Sequence, residues 1–186
     1  MAANREVEVK FKIDSIPTLT AGLGAAGFHM VTERTYEINT LYDLPGNPLR
    51  RRGALLRIRQ YGSKWTVTYK DKSKIKAGPH KSRIEIETQV QDGRALAEIL
   101  QSSGFKPGFA YEKFRSEWAD GTGHLVIDET PIGNFGEIEG PPQWIDDVAQ
   151  RLGISRKQYI TASYGELFMQ WKKKTGTKVT QMAFPL

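Results

Sequence analysis

Charged residues recur at alternate positions along several stretches of this chain. Glu6, Glu8 and Lys10 form one such set, and Arg57 and Arg59 another. Then come Thr66, Thr68 and Lys70; Arg83, Glu85 and Glu87; Lys113, Arg115 and Glu117; Asp128; and Glu137 with Glu139. Lys and Arg neutralise phosphate oxygens, Arg in bidentate fashion. Grouped carboxylates suit hard divalent cations such as Mg²⁺ and Mn²⁺, which prefer oxygen ligands. A polyphosphate with its bound metal would meet both kinds of group, and phosphoryl transfer needs positioning and charge neutralisation more than covalent chemistry.

Alternation with a period of two is the signature of a strand with two different faces. Residues 5–13 read R-E-V-E-V-K-F-K-I, with Val7, Val9, Phe11 and Ile13 on one face and Glu6, Glu8, Lys10 and Lys12 on the other. Further strands are expected at 32–43, 54–60, 64–71, 82–90, 111–118, 125–128 and 133–139. Pro45, Gly46, Asn47 and Pro48 read as a turn, and 72–79 as a basic, flexible loop. Helices are expected at 15–28, capped by Asp14 or Ser15; from Asp92 to Gly104; from Pro141 and Pro142 to Gly153; and at about 162–175, leaving 176–186 as a tail. Short links between consecutive strands require antiparallel pairing. The expected fold class is therefore α+β with a dominant antiparallel sheet, and residues 1–186 read as a single domain.

A half-buried sheet with a wet outer face is the ordinary source of such alternation. Here acidic and basic pairs recur with long side chains, where a solvated face mixes Thr, Ser, Gln and Lys. About eight strands can close into a barrel whose interior residues alternate with exterior ones. Charges crowded into such a lumen are costly unless they pair with each other or with an ionic ligand. The sharper expectation is thus a closed eight-stranded antiparallel barrel with its charge inside and its helices packed outside.

Composition narrows the alternatives. The 186 residues carry a net charge of +6, which favours an anionic partner without choosing among nucleic acid, membrane surface and phosphate compounds. The absence of Cys removes disulfides, thiolate metal sites and Cys nucleophiles. Residues 1–10 are charged, unlike a signal peptide, and no apolar run approaches the ~20 residues of a spanning helix. The expectation is a soluble, cytoplasmic protein with neither a membrane nor a nucleic-acid partner, since nucleic-acid binding would interleave exposed aromatics with basic groups.

The E-V-E-V-K run at 6–10 resembles the E-x-E-x-K signature of the CYTH superfamily, the triphosphate tunnel metalloenzymes. The likeness continues in order through L-R-I-R (56–59), T-V-T-Y-K (66–70), R-I-E-I-E (83–87), Y-E-K-F-R-S (111–116), L-V-I-D-E-T-P-I-G (125–133), G-E-I-E-G (136–140) and S-Y-G-E-L (163–167). The resemblance implies an eight-stranded tunnel binding a triphosphate-containing small molecule with Mg²⁺ or Mn²⁺, in a monomer or a homodimer. It implies that Glu6, Glu8, Glu137 and Glu139 hold metal, and that Lys10, Arg57, Arg59, Lys70 and Arg115 bind the phosphates. Glu85, with Glu87 beside it, is the matching acidic position of the next block; Glu85 and Asp128 are the candidates for orienting water as a base. The chain departs from many relatives at Ala162, where a basic residue usually precedes the Ser-Tyr of the last motif. Lys157, Lys72, Lys74 and Lys76 are the candidates to supply that charge.

Two reactions share these groups: hydrolysis of inorganic triphosphate or an organic triphosphate such as thiamine triphosphate, and cyclisation of ATP to cyclic AMP with release of pyrophosphate. A polyphosphate- or nucleotide-binding module without activity is the third reading. Other signals carry less. The G-x-G-x-x-G at 22–27 closes a helix instead of opening one after a strand, as a dinucleotide site requires. His29, His80 and His124 lack metal-site spacing, Arg50, Arg51 and Arg52 read as a solvated turn, and Lys172, Lys173 and Lys174 suit a helix C-terminus. Trp65, Trp118, Trp144 and Trp171 are expected to pack helices against the outside of the barrel.

Overall fold

The computed structural model describes residues 4–72 and 79–185. Eight strands form one closed antiparallel barrel: β1 (Asn4–Lys12), β2 (His29–Asp43), β3 (Leu55–Tyr61), β4 (Lys64–Lys72), β5 (Lys81–Val90), β6 (Lys106–Ala119), β7 (His124–Thr130) and β8 (Gly133–Glu139). Around the barrel the order is β1-β5-β4-β3-β2-β6-β7-β8, with β8 returning to β1. The expectation of an α+β barrel with outer helices holds.

Hydrophobic residues leave the strands outward. Val7, Val9 and Phe11 of β1, Leu125 and Ile127 of β7 and Ile138 of β8 are buried with Leu23 of α1 (Ile16–Ala25) and with Ile145, Val148 and Ala149 of α4 (Pro142–Arg151). That apolar layer is the core, and it lies outside the barrel wall. Its packing is close: a Cβ on Gly136 would stand 2.1 Å from Phe11 Cζ. All four tryptophans pack as expected. Trp118 is in this core with Trp144 against it, Trp65 covers Gly93 at the start of α3 (Gly93–Ser102), and Trp171 joins a second aromatic cluster.

That second cluster forms around the last helix. Ser163 caps α5 (Tyr164–Thr175) through a reciprocal capping box with Glu166, and the helix sets Tyr164 and Phe168 against Tyr111, Phe135 and Met182. The chain ahead of α5 is strapped to the barrel. Pairing of β5 with β1 ends at Glu8, and Ile160 then takes the free edge through two backbone hydrogen bonds with Lys10 of 2.7 and 3.1 Å. The segment expected as a tail is likewise tied down, because Met182 exchanges backbone bonds with Ala110 and Glu112 of β6.

Several expectations need correction. A short helix, α2 (Pro48–Arg52), follows the predicted turn, so the α-helices among the described residues number five, with a 3-10 turn at Arg156–Gln158 besides. Asn47 at a left-handed φ of 54° turns the chain, Pro48 enters at the first helical position, and the Asp43 carboxylate accepts the amides of Leu44, Leu49 and Arg50. Strand β6 begins at Lys106, through Pro107 and Gly108, because the end of β2 pairs with it across a register shift between Thr40 and Tyr42. The basic loop expected at 72–79 falls largely on 73–78, outside the described residues, and so do its candidates Lys74 and Lys76.

Candidate active site

The inner face of the barrel carries the charge. Cross-strand register places Glu8 beside Glu139, Lys10 beside Glu137, Arg57 beside Thr68, Lys70 beside Glu85, Glu37 beside Lys113 and Arg115 beside Asp128. These positions surround a cavity of ≈ 530 Å³ lined by eight Lys or Arg and seven Glu, within the size range of small-molecule sites. Ten of the eleven candidates from the sequence line it: Lys10, Arg57, Arg59, Lys70, Arg115, Glu6, Glu8, Glu85, Glu137 and Glu139. Asp128 stands just behind, with no exposed surface.

One part of the site is an interlocked array of buried ion pairs. Arg115 donates to both oxygens of Asp128 at 2.7 Å and to Glu137 at 2.6 Å. Lys113 donates to Asp128 at 2.9 Å, and the Tyr164 hydroxyl donates to the same carboxylate at 2.5 Å. Lys10 pairs with Glu137, and its ammonium lies 4.4 Å from the centre of the Tyr164 ring. Burial works against the charged form of Glu137, but Lys10 and Arg115 outweigh it and hold the carboxyl well below its ordinary range. Burial also drives the Tyr164 phenol well above its usual value, with the Asp128 charge adding to it, so the hydroxyl keeps its proton and remains a donor.

Glu37 is the residue that sequence reading missed. It is fully buried, 3.3 Å from Lys113, 3.6 Å from Arg59 and 3.8 Å from Arg115, and it accepts from Asn39 at 2.7 Å. Burial disfavours its charge, yet Lys113, Arg59 and Arg115 hold its carboxyl far below the ordinary value. The T-Y-E-I-N run at 35–39 alternates, which was the available signal. Tyr111, which the sequence reading did not single out, also lines the cavity, and its hydroxyl accepts from Arg57 at 3.4 Å.

Toward the other part the carboxylates predominate. Glu6 accepts from Lys70 at 2.6 Å, Glu85 lies 3.1 Å from the same ammonium, and Glu8 accepts from Lys81 at 2.6 Å. Burial and the neighbouring Glu8 charge raise Glu6, whereas for Glu8 the Lys81, Lys10 and Lys70 cations overcome burial and lower it. Glu139 keeps an exposed edge, yet burial against the wall and then the charges of Glu6 and Glu8 push its carboxyl up to about 8. Glu6, Glu8, Glu85 and Glu139 all line the same cavity. Among the described residues no three His, Asp or Glu converge closely enough to hold a metal ion, Glu6 and Glu85 being drawn to Lys70 and Glu8 to Lys81. The donors are nonetheless all oxygen, as hard divalent cations require, so in chemistry Glu6, Glu8, Glu85 and Glu139 fit such an ion.

The remaining wall is built for an anion. Arg57 donates to Thr68 at 3.1 Å, and Thr68 donates to Glu87 at 2.5 Å, which fixes the guanidinium plane. The Nε–H groups of Arg57 and Arg59 are buried with no hydrogen-bond acceptor. The Arg59 one lies 3.6 Å from Glu37, and both side chains line the cavity, where a guanidinium suits phosphate oxygens. Near the last motif, Ala162 brings no charge, Lys157 and Lys72 do not line the cavity, and the nearby cation is Lys81, a lining residue that the sequence reading passed over. Among the described residues no helix is long and apolar enough to cross a membrane.

Comparison with known proteins places these features in a family context. The profile of the CYTH domain matches residues 4–164. The chain is 28% identical over 176 residues to an adenylate cyclase CyaB of Aeromonas hydrophila, covering 89% of each chain. A Vibrio parahaemolyticus structure, 18% identical, superposes with a TM-score of 0.79 over 90% of this chain and 99% of that one. A Hippeastrum structure, described as revealing a dominant triphosphatase activity, is 21% identical with a TM-score of 0.65, covering 89% and 95%. At these identities the two structures speak for the fold.

Proposed function

This chain belongs to the CYTH domain family, and from that premise we propose that its tunnel binds a triphosphate compound with Mg²⁺ or Mn²⁺ and hydrolyses it. The observation that carries this reading is the nearly even count of charges in one cavity, eight cations against seven carboxylates. A bare triphosphate would leave that lumen strongly negative, whereas a metal-complexed one arrives with much of its charge already neutralised. Simple anion binding would not call for the carboxylates.

The division of labour follows from the contacts. Arg57 and Arg59 line the cavity and take phosphate oxygens with their guanidinium groups, and Lys10 and Lys70 add point charges along the chain. Arg115 and Lys113 enter the reaction already oriented by Asp128, Glu137 and Glu37, so their field needs no rearrangement when charge develops. Asp128 acts as a positioning carboxylate, because Arg115, Lys113 and Tyr164 occupy its oxygens. Glu6, Glu8 and Glu139 would hold the divalent ion, which when bound polarises the phosphoryl oxygens. Water adds to the terminal phosphorus, the bridging P–O bond breaks, and the diphosphate leaves with the electron pair. Glu85, which lines the cavity beside Lys70, takes the water proton in this reading.

The adenylate cyclase reading has its own support in the name of the Aeromonas relative. In that reaction the ribose 3′-hydroxyl displaces pyrophosphate from the α-phosphorus in the same tunnel. Purified protein with Mg²⁺ or Mn²⁺ is incubated separately with inorganic triphosphate, thiamine triphosphate and ATP, and phosphate, pyrophosphate and cyclic AMP are measured. Phosphate release is the expected outcome. Cyclic AMP with pyrophosphate would replace this reading by cyclisation, and binding without turnover would reduce the protein to a binding module.

A further inference from the structure

Four lysines reach the cavity, and three are held from more than one side. Lys70 lies between Glu6 and Glu85, Lys113 between Glu37 and Asp128, and Lys10 between Glu137 and the Tyr164 ring. Lys81 differs. Among the described residues it has one ion-pair partner, Glu8, at 2.6 Å, and no ring beneath it. It is the first residue of β5 and stands directly opposite Glu8 in the last β1–β5 pair, where the strands part and Ile160 takes over the edge.

We infer that Lys81 is a phosphate-binding lysine held in reserve: in the empty tunnel it is the counter-cation of Glu8, and a divalent ion taking Glu8 releases it to the phosphate chain. The inference rests on reading the tunnel as a metal–triphosphate site. Glu8 cannot give its oxygens to an ammonium and to a divalent ion together, and two cations at such a separation repel strongly in a half-buried site. The lysine stem is long and flexible, so the head can leave while the stem stays.

The surroundings favour that movement. The backbone at Lys81 is anchored on both flanks: His80 Nε2 lies 3.0 Å from Asp146 of α4, and Arg83 donates to the Gly53 carbonyl at 3.2 Å. A second carboxylate, Glu166, feels the Lys81 and Arg83 charges, which help to keep it ionised. Glu166 is already engaged by the Ser163 amide and hydroxyl at 2.7 and 2.8 Å. A phosphate oxygen in the cavity is therefore the open destination for the freed ammonium. The arrangement couples the two ligands, since metal that displaces Lys81 raises the affinity for phosphate, and by linkage the reverse also holds.

The test compares wild type, Lys81→Met and Lys81→Arg by calorimetry, with thermal melts to confirm folding. Mn²⁺ is titrated into protein without substrate, and inorganic triphosphate into protein with and without Mn²⁺. Lys81→Met is expected to bind Mn²⁺ about tenfold more tightly without substrate, because the competing cation is gone. It should also bind triphosphate about tenfold more weakly when Mn²⁺ is present. Lys81→Arg, which holds Glu8 through a fork, should bind Mn²⁺ no better than wild type while retaining triphosphate. Unchanged or weaker Mn²⁺ binding in Lys81→Met, or tighter binding in Lys81→Arg, overturns the proposal. If wild type binds no triphosphate, the site reading fails, and the Mn²⁺ comparison still decides whether Lys81 competes for Glu8.

Discussion

Replacing Glu37 with Gln removes the one carboxylate that serves Arg59, Lys113 and Arg115 together. Removing one partner of a buried pair costs about 3–5 kcal/mol, because the remaining charge is left uncompensated. Two of the three cations keep other partners, Lys113 on Asp128 and Arg115 on Asp128 and Glu137, so Arg59 carries most of the penalty. The lower end, about 3 kcal/mol, is therefore expected, and for a chain of this size that corresponds to a fall in Tm of about 6–12 °C. The same change leaves surplus positive charge where phosphates would lie. Triphosphate should consequently raise the melting temperature of Glu37→Gln more than that of wild type; saturation at a hundred times Kd is worth about 2.7 kcal/mol by mass action. The sign with pH is set by a carboxyl held far below its ordinary value. Its stabilising contribution is complete above the unfolded-state range and is lost only as pH falls through and below it. The gap between wild type and variant should thus be flat from about pH 6 to 9 and shrink in acid. Melts followed by circular dichroism in EDTA, with and without inorganic triphosphate, measure both effects. A variant that melts within about 2 °C of wild type, or that gains less from triphosphate, refutes the placing of Glu37 as the common counter-ion.

Three further outcomes are expected. Because the Glu139 carboxyl is raised to about 8, Mn²⁺ must displace a proton below that pH; affinity should climb with pH up to about 8 and level off, and Glu139→Gln should flatten the climb, as read by calorimetry in buffers of different ionisation heat. Tyr164→Phe removes the 2.5 Å bond to Asp128 but leaves the ring under Lys10, so kcat should fall by about tenfold with KM within about twofold, measured by phosphate release. Gly136→Ala drives a methyl into Phe11, and overpacking of this kind should cost about 1–3 kcal/mol in denaturant titration without altering metal affinity.

Much of the barrel was legible because its two faces differ so sharply. In β1 the aliphatic residues Val7, Val9 and Phe11 alternate with Glu6, Glu8 and Lys10, and the period alone assigns the strand. Whether the charged face turns inward is not a local property; it depends on closure between β1 and β8, which no stretch of sequence states. Glu37 escaped notice for a related reason. Its inward neighbours are Thr35 and Asn39, a mild polar pattern, and its importance arises from pairing with Lys113 across β6 and from proximity to Arg59 across β3. Lys81 was invisible in the same way, since only register places it opposite Glu8. The helix α2 was hidden by local chemistry: P-G-N-P spells a turn, and the Asp43 carboxylate that holds the following residues in a helix lies outside that motif.

The opposition of the two strand faces also limits how this protein can change. A single residue inserted into or deleted from β1 would rotate its partners by one place, sending Glu8 and Lys10 into the oily layer under α1 and α4 and Val9 and Phe11 into the lumen. A slip of one place is wrong on both faces at every position, so variation in length is channelled into the connections between strands.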